Sequence, residues 1–149
     1  MELGQWLSKA EGIDFGEIIN AAIKKHEDVI IRLNTDSQLF GSGIKHTGAR
    51  ITPPYAASTV RYKKRRGQPS DRVTLRDTGQ FHNAFKIIYE SDQITIVPDA
   101  VILDGSFDLS EHLQKRYGAT IAGLTTLNID ELRALIIPEI IKMTREAVQ

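Results

Sequence analysis

Two stretches with helical spacing bracket this chain, and the long segment between them lacks it. From Phe15 the apolar side chains fall at Ile18, Ile19, Ala22, Ile23, Val29 or Ile30, and Leu33, while Glu17, Lys24, Lys25, Glu27, Asp28 and Arg32 take the opposite side. Steps of three and four put the first set on one face of an α-helix. Asp14 is placed to cap its first turn, because a carboxylate there accepts free backbone N–H groups. The pattern predicts a helix over about 14–34, broken by Thr35-Asp36-Ser37. Near the other end Ile129, Leu132, Leu135, Ile136, Ile140, Met143 and Ala147 repeat the spacing. Asn128 with Glu131 three residues on reads as a reciprocal capping box. Pro138 either kinks this last helix or opens a second one at the first-turn position where proline is tolerated.

Between the helices the signals are short. Gly41, Gly43, Gly48 and Pro53-Pro54 mark an irregular connection. Tyr55 to Arg65 reads as a short helix capped by Ser58 and ended by Gly67-Gln68-Pro69. The run from Val73 to Phe85 reads as a brief strand, a turn at Gly79, and one or two helical turns carrying Phe81 and Phe85 inward. Lys86 to Glu90 and Gln93 to Pro98, parted by Ser91-Asp92, form a β-hairpin, and a third strand is expected around Ala100 to Leu103. Leu109, Leu113 and Tyr117 make a short helix stopped by Gly118. The expected fold is α+β: a small antiparallel sheet packed against long N- and C-terminal helices. One domain over 1–149 is the reading, with 41–76 as a protruding basic loop or arm.

Charge singles out that arm. The chain balances 19 basic and 19 acidic residues. Yet between Lys45 and Arg76 nine basic residues face the single acid Asp71, a local surplus of +8, and the rest carries the matching deficit. Separate positive and negative regions attract copies of a chain head to tail, because complementary potentials fix orientation as well as encounter. The run Arg61-Tyr62-Lys63-Lys64-Arg65-Arg66 reads in three ways. It is a solvated face, a nucleic-acid contact with Tyr55 or Tyr62 stacking on bases, or a contact with an acidic protein surface.

Chemistry of the chain's own has little support in the sequence. There is no cysteine, which removes disulfides and thiolate nucleophiles. His26, His46, His82 and His112 show no ligand spacing. Gly41-Ser42-Gly43 lacks the Gly-Lys-Ser/Thr of a phosphate loop. Asp99, Asp104 and Asp108 are spaced as loop acids. No catalytic, cofactor or metal residue is therefore expected. No apolar run is long enough for a membrane span, and Met1-Glu2-Leu3-Gly4 lacks a basic signal region, so a protein made in a cytoplasm with no membrane partner is expected.

The run Asp71-Arg72-Val73-Thr74-Leu75-Arg76-Asp77-Thr78-Gly79-Gln80-Phe81-His82-Asn83-Ala84-Phe85 resembles the Arg-x-Thr-Gly-x-Leu-x-x-Ser signature of tailed-phage neck and tail-completion proteins, also called minor tail or virion morphogenesis proteins. Other pieces follow in the same order. Pro53-Pro54-Tyr55, Lys63-Lys64 and Gly67-Gln68-Pro69 precede it, and a hairpin, Tyr117-Gly118 and Gly123-Leu124-Thr125 come after it. The set looks like the version carried by phages and prophages of Bacteroidetes and covers about 15–147. Phe81 stands in place of the leucine and Ala84 in place of the serine.

The resemblance implies a structural virion protein of the head–tail junction with no catalytic role. It would form a ring, usually hexameric, that joins the head connector to the tail and lines a channel for DNA. Its partners would be sister subunits and other neck, connector and tail proteins, with non-specific contact to passing DNA. The residues expected to face protein or DNA are Lys45, Arg50, Arg61, Lys63, Lys64, Arg65, Arg66 and Arg72. Thr78, Gly79, Phe81 and Phe85 are expected to build the turn, with glycine taking a positive φ. A basic nucleic-acid-binding module is the alternative.

Overall fold

Asp14 caps a helix as its position predicts: it is extended (φ −86°, ψ 96°) and its carboxylate accepts the Glu17 N–H at 3.1 Å. The structure, a computed structural model, describes residues 3–91, 93–102 and 106–149. The expected Leu103 end of the third strand, Asp104, and Asp92 of the hairpin turn lie outside those residues. Helix α1 (Leu3–Glu11) precedes Asp14 and α2 (Phe15–Lys25) follows it. The helix expected over 14–34 is divided at His26 (φ −113°, ψ 17°), after which α3 (Glu27–Arg32) begins.

Thr35-Asp36-Ser37 does not end the helical path. The backbone continues as a ten-residue π-helix, Leu33–Ser42, stopped by left-handed Gly43. Wider π turns persist where side chains repay them with fixed partners, and Asn34 and Gln38 supply these. Asn34 Nδ2 donates to the Ile121 carbonyl at 3.1 Å and its Oδ1 accepts the Gly123 N–H at 2.9 Å. Gln38 Nε2 donates to the Gly123 carbonyl at 2.9 Å, and its Oε1 accepts from Thr125 N at 2.8 Å and Asn128 Nδ2 at 2.7 Å. All three amides are buried, where polar groups need such partners within the chain.

Helix α4 (Ala57–Arg65) starts one residue before Ser58; Ala56 holds the cap position without a side-chain bond. Helix α5 (Gln80–Asn83) follows the Gly79 turn. Strands β1 (Phe85–Tyr89) and β2 (Ile94–Pro98) form the expected hairpin, in register Ile87 to Ile96. Phe85 and Ile87 point inward while Lys86 and Ile88 face out. A second ribbon pairs β3 (Val101–Ile102) with β4 (Phe107–Asp108). Helix α6 (Leu109–Tyr117) ends at Gly118, as predicted. Helix α7 (Thr126–Val148) is one continuous helix through Pro138. Its cap is Thr125, whose hydroxyl accepts the Asn128 N–H; the expected Asn128 box does not form because that amide is committed to the buried network.

The α+β fold has two core clusters. Ala22, Ile23, Ile30, Ile87 and Ile136 join α2, α3, the hairpin and α7, which is the expected packing of a small sheet against terminal helices. The Tyr89 hydroxyl donates to Glu27 at 2.8 Å across that junction, and Lys25 pairs with Glu139. Leu39, Ile51, Val73, Leu75, Phe81, Phe85, Tyr117 and Ile121 belong to the other. The segment 41–76, expected as a protruding basic loop or arm, is anchored at its apolar residues: Ile51, Val73 and Leu75 are buried and Tyr55 packs on them, while Thr47–Arg50, Thr52–Pro54 and the outer face of the basic helix are exposed. Among the described residues no helix is long and apolar enough to cross a membrane.

Candidate docking cleft

The chain from Val73 to Gly79 is shaped by apolar burial and by polar side chains that hold its backbone. Val73, Thr74 and Leu75 are buried, yet they form no strand. Leu75 instead adopts φ 53°, a left-handed conformation that costs a leucine about 1–2 kcal/mol. Neighbours hold it there. The Tyr55 hydroxyl oxygen accepts the N–H groups of Thr74 at 2.9 Å and Leu75 at 3.3 Å. Lys63 Nζ donates to the Arg76 carbonyl at 2.8 Å, and His82 Nε2 lies 2.8 Å from the Thr74 carbonyl.

Gly79 (φ 92°) then reverses the chain, as expected for the Thr-Gly turn. Phe81 and Phe85 enter the core with their rings edge to face, centroids 5.1 Å apart. Thr78 caps less than expected: its hydroxyl is 3.5 Å from Gln80 N, beyond an ordinary hydrogen bond.

This turn, α4 and α6 enclose an open cleft of about 520 Å³. Leu75, Phe81, Leu109, Leu113 and Tyr117 give it an apolar floor, and Ser58, Thr59, Lys63, Arg76, Asp77 and Gln80 a polar rim. A concave apolar surface with a few oriented polar groups is the form of a binding site.

Of the expected contact residues, the structure gathers some and separates others. Arg61, Lys64 and Arg65 are exposed on α4, and among the described residues none has a carboxylate within 4.0 Å. Arg66 lies over the Tyr62 ring, 3.8 Å from an Asp77 carboxylate oxygen. Arg50 is exposed beside the bridge from Ile44 to Arg50, and Lys45 is half-buried.

Two expectations need correcting. Lys63 is not a contact residue: it is 4% exposed, and its ammonium is held by the Arg76 carbonyl and Gln68 Oε1. A buried ammonium needs such acceptors, and the helix turn that points Lys64 outward points Lys63 in. Arg72 is also mostly committed, to the Phe40 carbonyl at 2.8 Å and Asp71 at 2.7 Å.

His82 is buried behind the Thr-Gly turn, where it lines a neighbouring pocket with Asp36, Arg76 and Phe85. A carbonyl only accepts, so its Nε2 carries the proton toward Thr74 and Nδ1 is left as a buried acceptor with no partner. Burial pushes its pKa below the usual histidine value, with Arg76 adding to the fall and the Thr74 carbonyl opposing it. Among the described residues no group of three or more histidines and carboxylates converges as a metal site.

No protein-family model matches the chain, and no curated protein or solved structure matches it.

The far wall of the cleft was the part the sequence did not indicate. Leu109, Leu113 and Tyr117 announce a helix face by their fours, but nothing local says which surface that face meets. The contribution of Tyr55 was equally hidden, since its role is a hydroxyl placed against backbone nineteen residues away.

Proposed function

We propose that this protein is a structural subunit of a tailed-phage head–tail junction, a neck or tail-completion protein that joins sister copies into a ring between connector and tail. The observation that carries the reading is a coincidence of place. Arg76 to Phe81, within the run that bears the resemblance, lines the cleft, and one wall of it is α4, the helix that carries the exposed cations Arg61, Lys64 and Arg65. A cleft with an apolar floor and a charged rim supports a protein contact, because apolar burial supplies affinity and the charges select the partner. The virion location and the partners named by the resemblance follow from the same reading.

The test is assembly. The purified chain is mixed with a portal-proximal protein of the same phage and the mass of the product is measured, alongside joining of tails to filled heads. A ring-sized complex and joined particles are expected. Charge reversal at Arg61, Lys64, Arg65 and Arg66 is expected to abolish both, and joining that survives the reversal sinks the proposal.

Nucleic-acid binding is the second reading, favoured by the exposed cations Arg61, Lys64 and Arg65 of α4 and by Tyr62, exposed on the same helix. It predicts duplex DNA binding that weakens steeply between two salt concentrations, since each phosphate contact releases counterions. Filter binding that does not respond to salt removes it.

A further inference from the structure

Helix α7 is apolar on two opposite sides, and the fold covers one of them. Leu132, Ile136, Ile140 and Met143 pack into the cluster of Ala22, Ile23 and Ile30. Leu127, Ala134, Ile137 and Ile141 are left exposed, Leu127 by 77%, Ile137 by 50% and Ile141 by 45%. At the helical repeat these four fall within about 80° of one another, on the side away from Ile136 and Met143. Steps of seven, and of three and four, are the spacing of a seam between paired helices. A contiguous exposed apolar stripe marks a place where another surface settles. Because this one points away from the core, a helix can lie along it without meeting α2.

The charges on its border say which helix. Glu131, Pro138 and Arg145 repeat every seventh residue along one side of the stripe. Both charged side chains are exposed, and among the described residues neither has an opposite charge within 4.0 Å. They stand equally far from Pro138, in opposite directions. A two-fold axis near Pro138 therefore brings Glu131 of one copy to Arg145 of the other, and does so twice, while Ile137 of each copy meets Ile141 of the other. A parallel pairing gives neither charge an opposite, since it sets Arg145 beside Ile140 and Glu131 beside Thr126.

We infer that α7 pairs antiparallel with α7 of a second copy of this chain, crossing near Pro138, with two ion pairs between Glu131 and Arg145 bordering the contacts of Ile137 with Ile141. Apolar burial supplies the affinity, and the charges fix direction and register. The inference goes beyond the junction role. The contact uses the same surface on both copies and closes at two, whereas a ring needs two different surfaces.

The mass of the full-length chain in solution, followed by sedimentation equilibrium over a dilution series, tests the pairing. A reversible dimer is expected. Ile137→Glu and Ile141→Glu each place a carboxylate in the seam and should raise the dissociation constant by at least about tenfold. Ile88→Glu, on the outer face of the hairpin and 42% exposed, should leave it unchanged. Glu131→Arg sets like charges opposite each other at both ends and should also weaken the dimer by about tenfold. Adding Arg145→Glu to that same chain makes the charges opposite again and should restore the parent affinity. Far-UV circular dichroism establishes that each variant is folded.

Cross-linking reads the direction, because the chain has no cysteine of its own. Chains carrying Glu131→Cys are mixed with chains carrying Arg145→Cys and treated with a short bis-maleimide, and the mixed product should exceed either self-product. A chain that is monomeric at every concentration overturns the inference. So do a dimer indifferent to Ile137→Glu and Ile141→Glu, a double reversal no tighter than Glu131→Arg alone, and self-products in excess of the mixed one. The tail-joining assay is read separately. Joined tails with a monomeric free chain remove the pairing and keep the junction role, while a dimer that behaves as expected without joining does the opposite.

Discussion

The Tyr55 hydroxyl holds the backbone of Leu75: it lies 3.3 Å from the Leu75 N–H and 2.9 Å from that of Thr74, and Leu75 is kept at φ 53°. One side chain thus fixes a strained residue in the floor of the cleft. Removing that oxygen leaves two N–H groups without their acceptor in a part-buried place. Tyr55→Phe is expected to lower stability by about 1–3 kcal/mol, read from urea unfolding. A variant as stable as the parent would mean that Leu75 is held by burial alone.

Lys63 and Lys64 are neighbours with opposite surroundings. Lys63 is buried under Arg76 and Gln68, and Lys64 faces solvent. Lys63→Ala removes a buried donor and packed methylenes and is expected to cost about 2–4 kcal/mol. Lys64→Ala should stay within about 0.5 kcal/mol. Equal costs would contradict the placement of the two side chains.

His82 makes stability depend on pH with a definite sign. Its folded-state pKa is lowered chiefly by burial, so the unfolded chain binds the proton more readily than the folded one. Its contribution is fully present above the ordinary histidine pKa near 6.5 and is lost as pH falls from there toward the folded value. The slope from one proton cannot exceed about 1.4 kcal/mol per pH unit. Unfolding measured from pH 7.5 to 4.5 should show this loss, and His82→Gln should remove that component. A variant with an unchanged profile would assign the slope to other groups.

Three glycines with positive φ separate strain from crowding. A Cβ on Gly79 or Gly48 meets nothing closer than 3.6 Å, so alanine there pays for the backbone alone, about 1–2 kcal/mol. At Gly43 the added atom comes within 2.9 Å of Arg72 Cβ and 3.2 Å of the Val73 carbonyl. Gly43→Ala is expected to be the most destabilising of the three in thermal unfolding. A ranking with Gly48→Ala first would be inconsistent with these contacts.

The buried amides couple helices far apart in sequence. Gln38 Oε1 accepts from Asn128 Nδ2 at 2.7 Å, joining the π-helix to α7. A double-mutant cycle of Gln38→Met and Asn128→Leu should give a coupling of about 0.5–3 kcal/mol, since each single change strands a buried partner. Additive losses would show that the two amides act separately.

The sequence by itself determined the elements whose causes lie within a turn or two of chain. The three-four spacing from Phe15, the Asp14 cap, the hairpin around Ser91, the stop at Gly118 and the reversal at Gly79 are all present. The surplus of basic residues between Lys45 and Arg76 was legible for the same reason, as was its outward face at Arg61, Lys64 and Arg65.

What depends on partners distant in sequence was decided by the tertiary structure. Asn128 looks like a cap until Gln38 and the Leu33 carbonyl compete for its amide. Thr35-Asp36-Ser37 looks like a break until Asn34 and Gln38 find the backbone of 121–125. Lys63 looks like one more exposed cation until the carbonyl of Arg76 lies above it. The cleft joins α4, the Thr-Gly turn and α6. Local propensity acts over three or four residues, whereas a cleft and a buried polar group are set by which surfaces exclude water together.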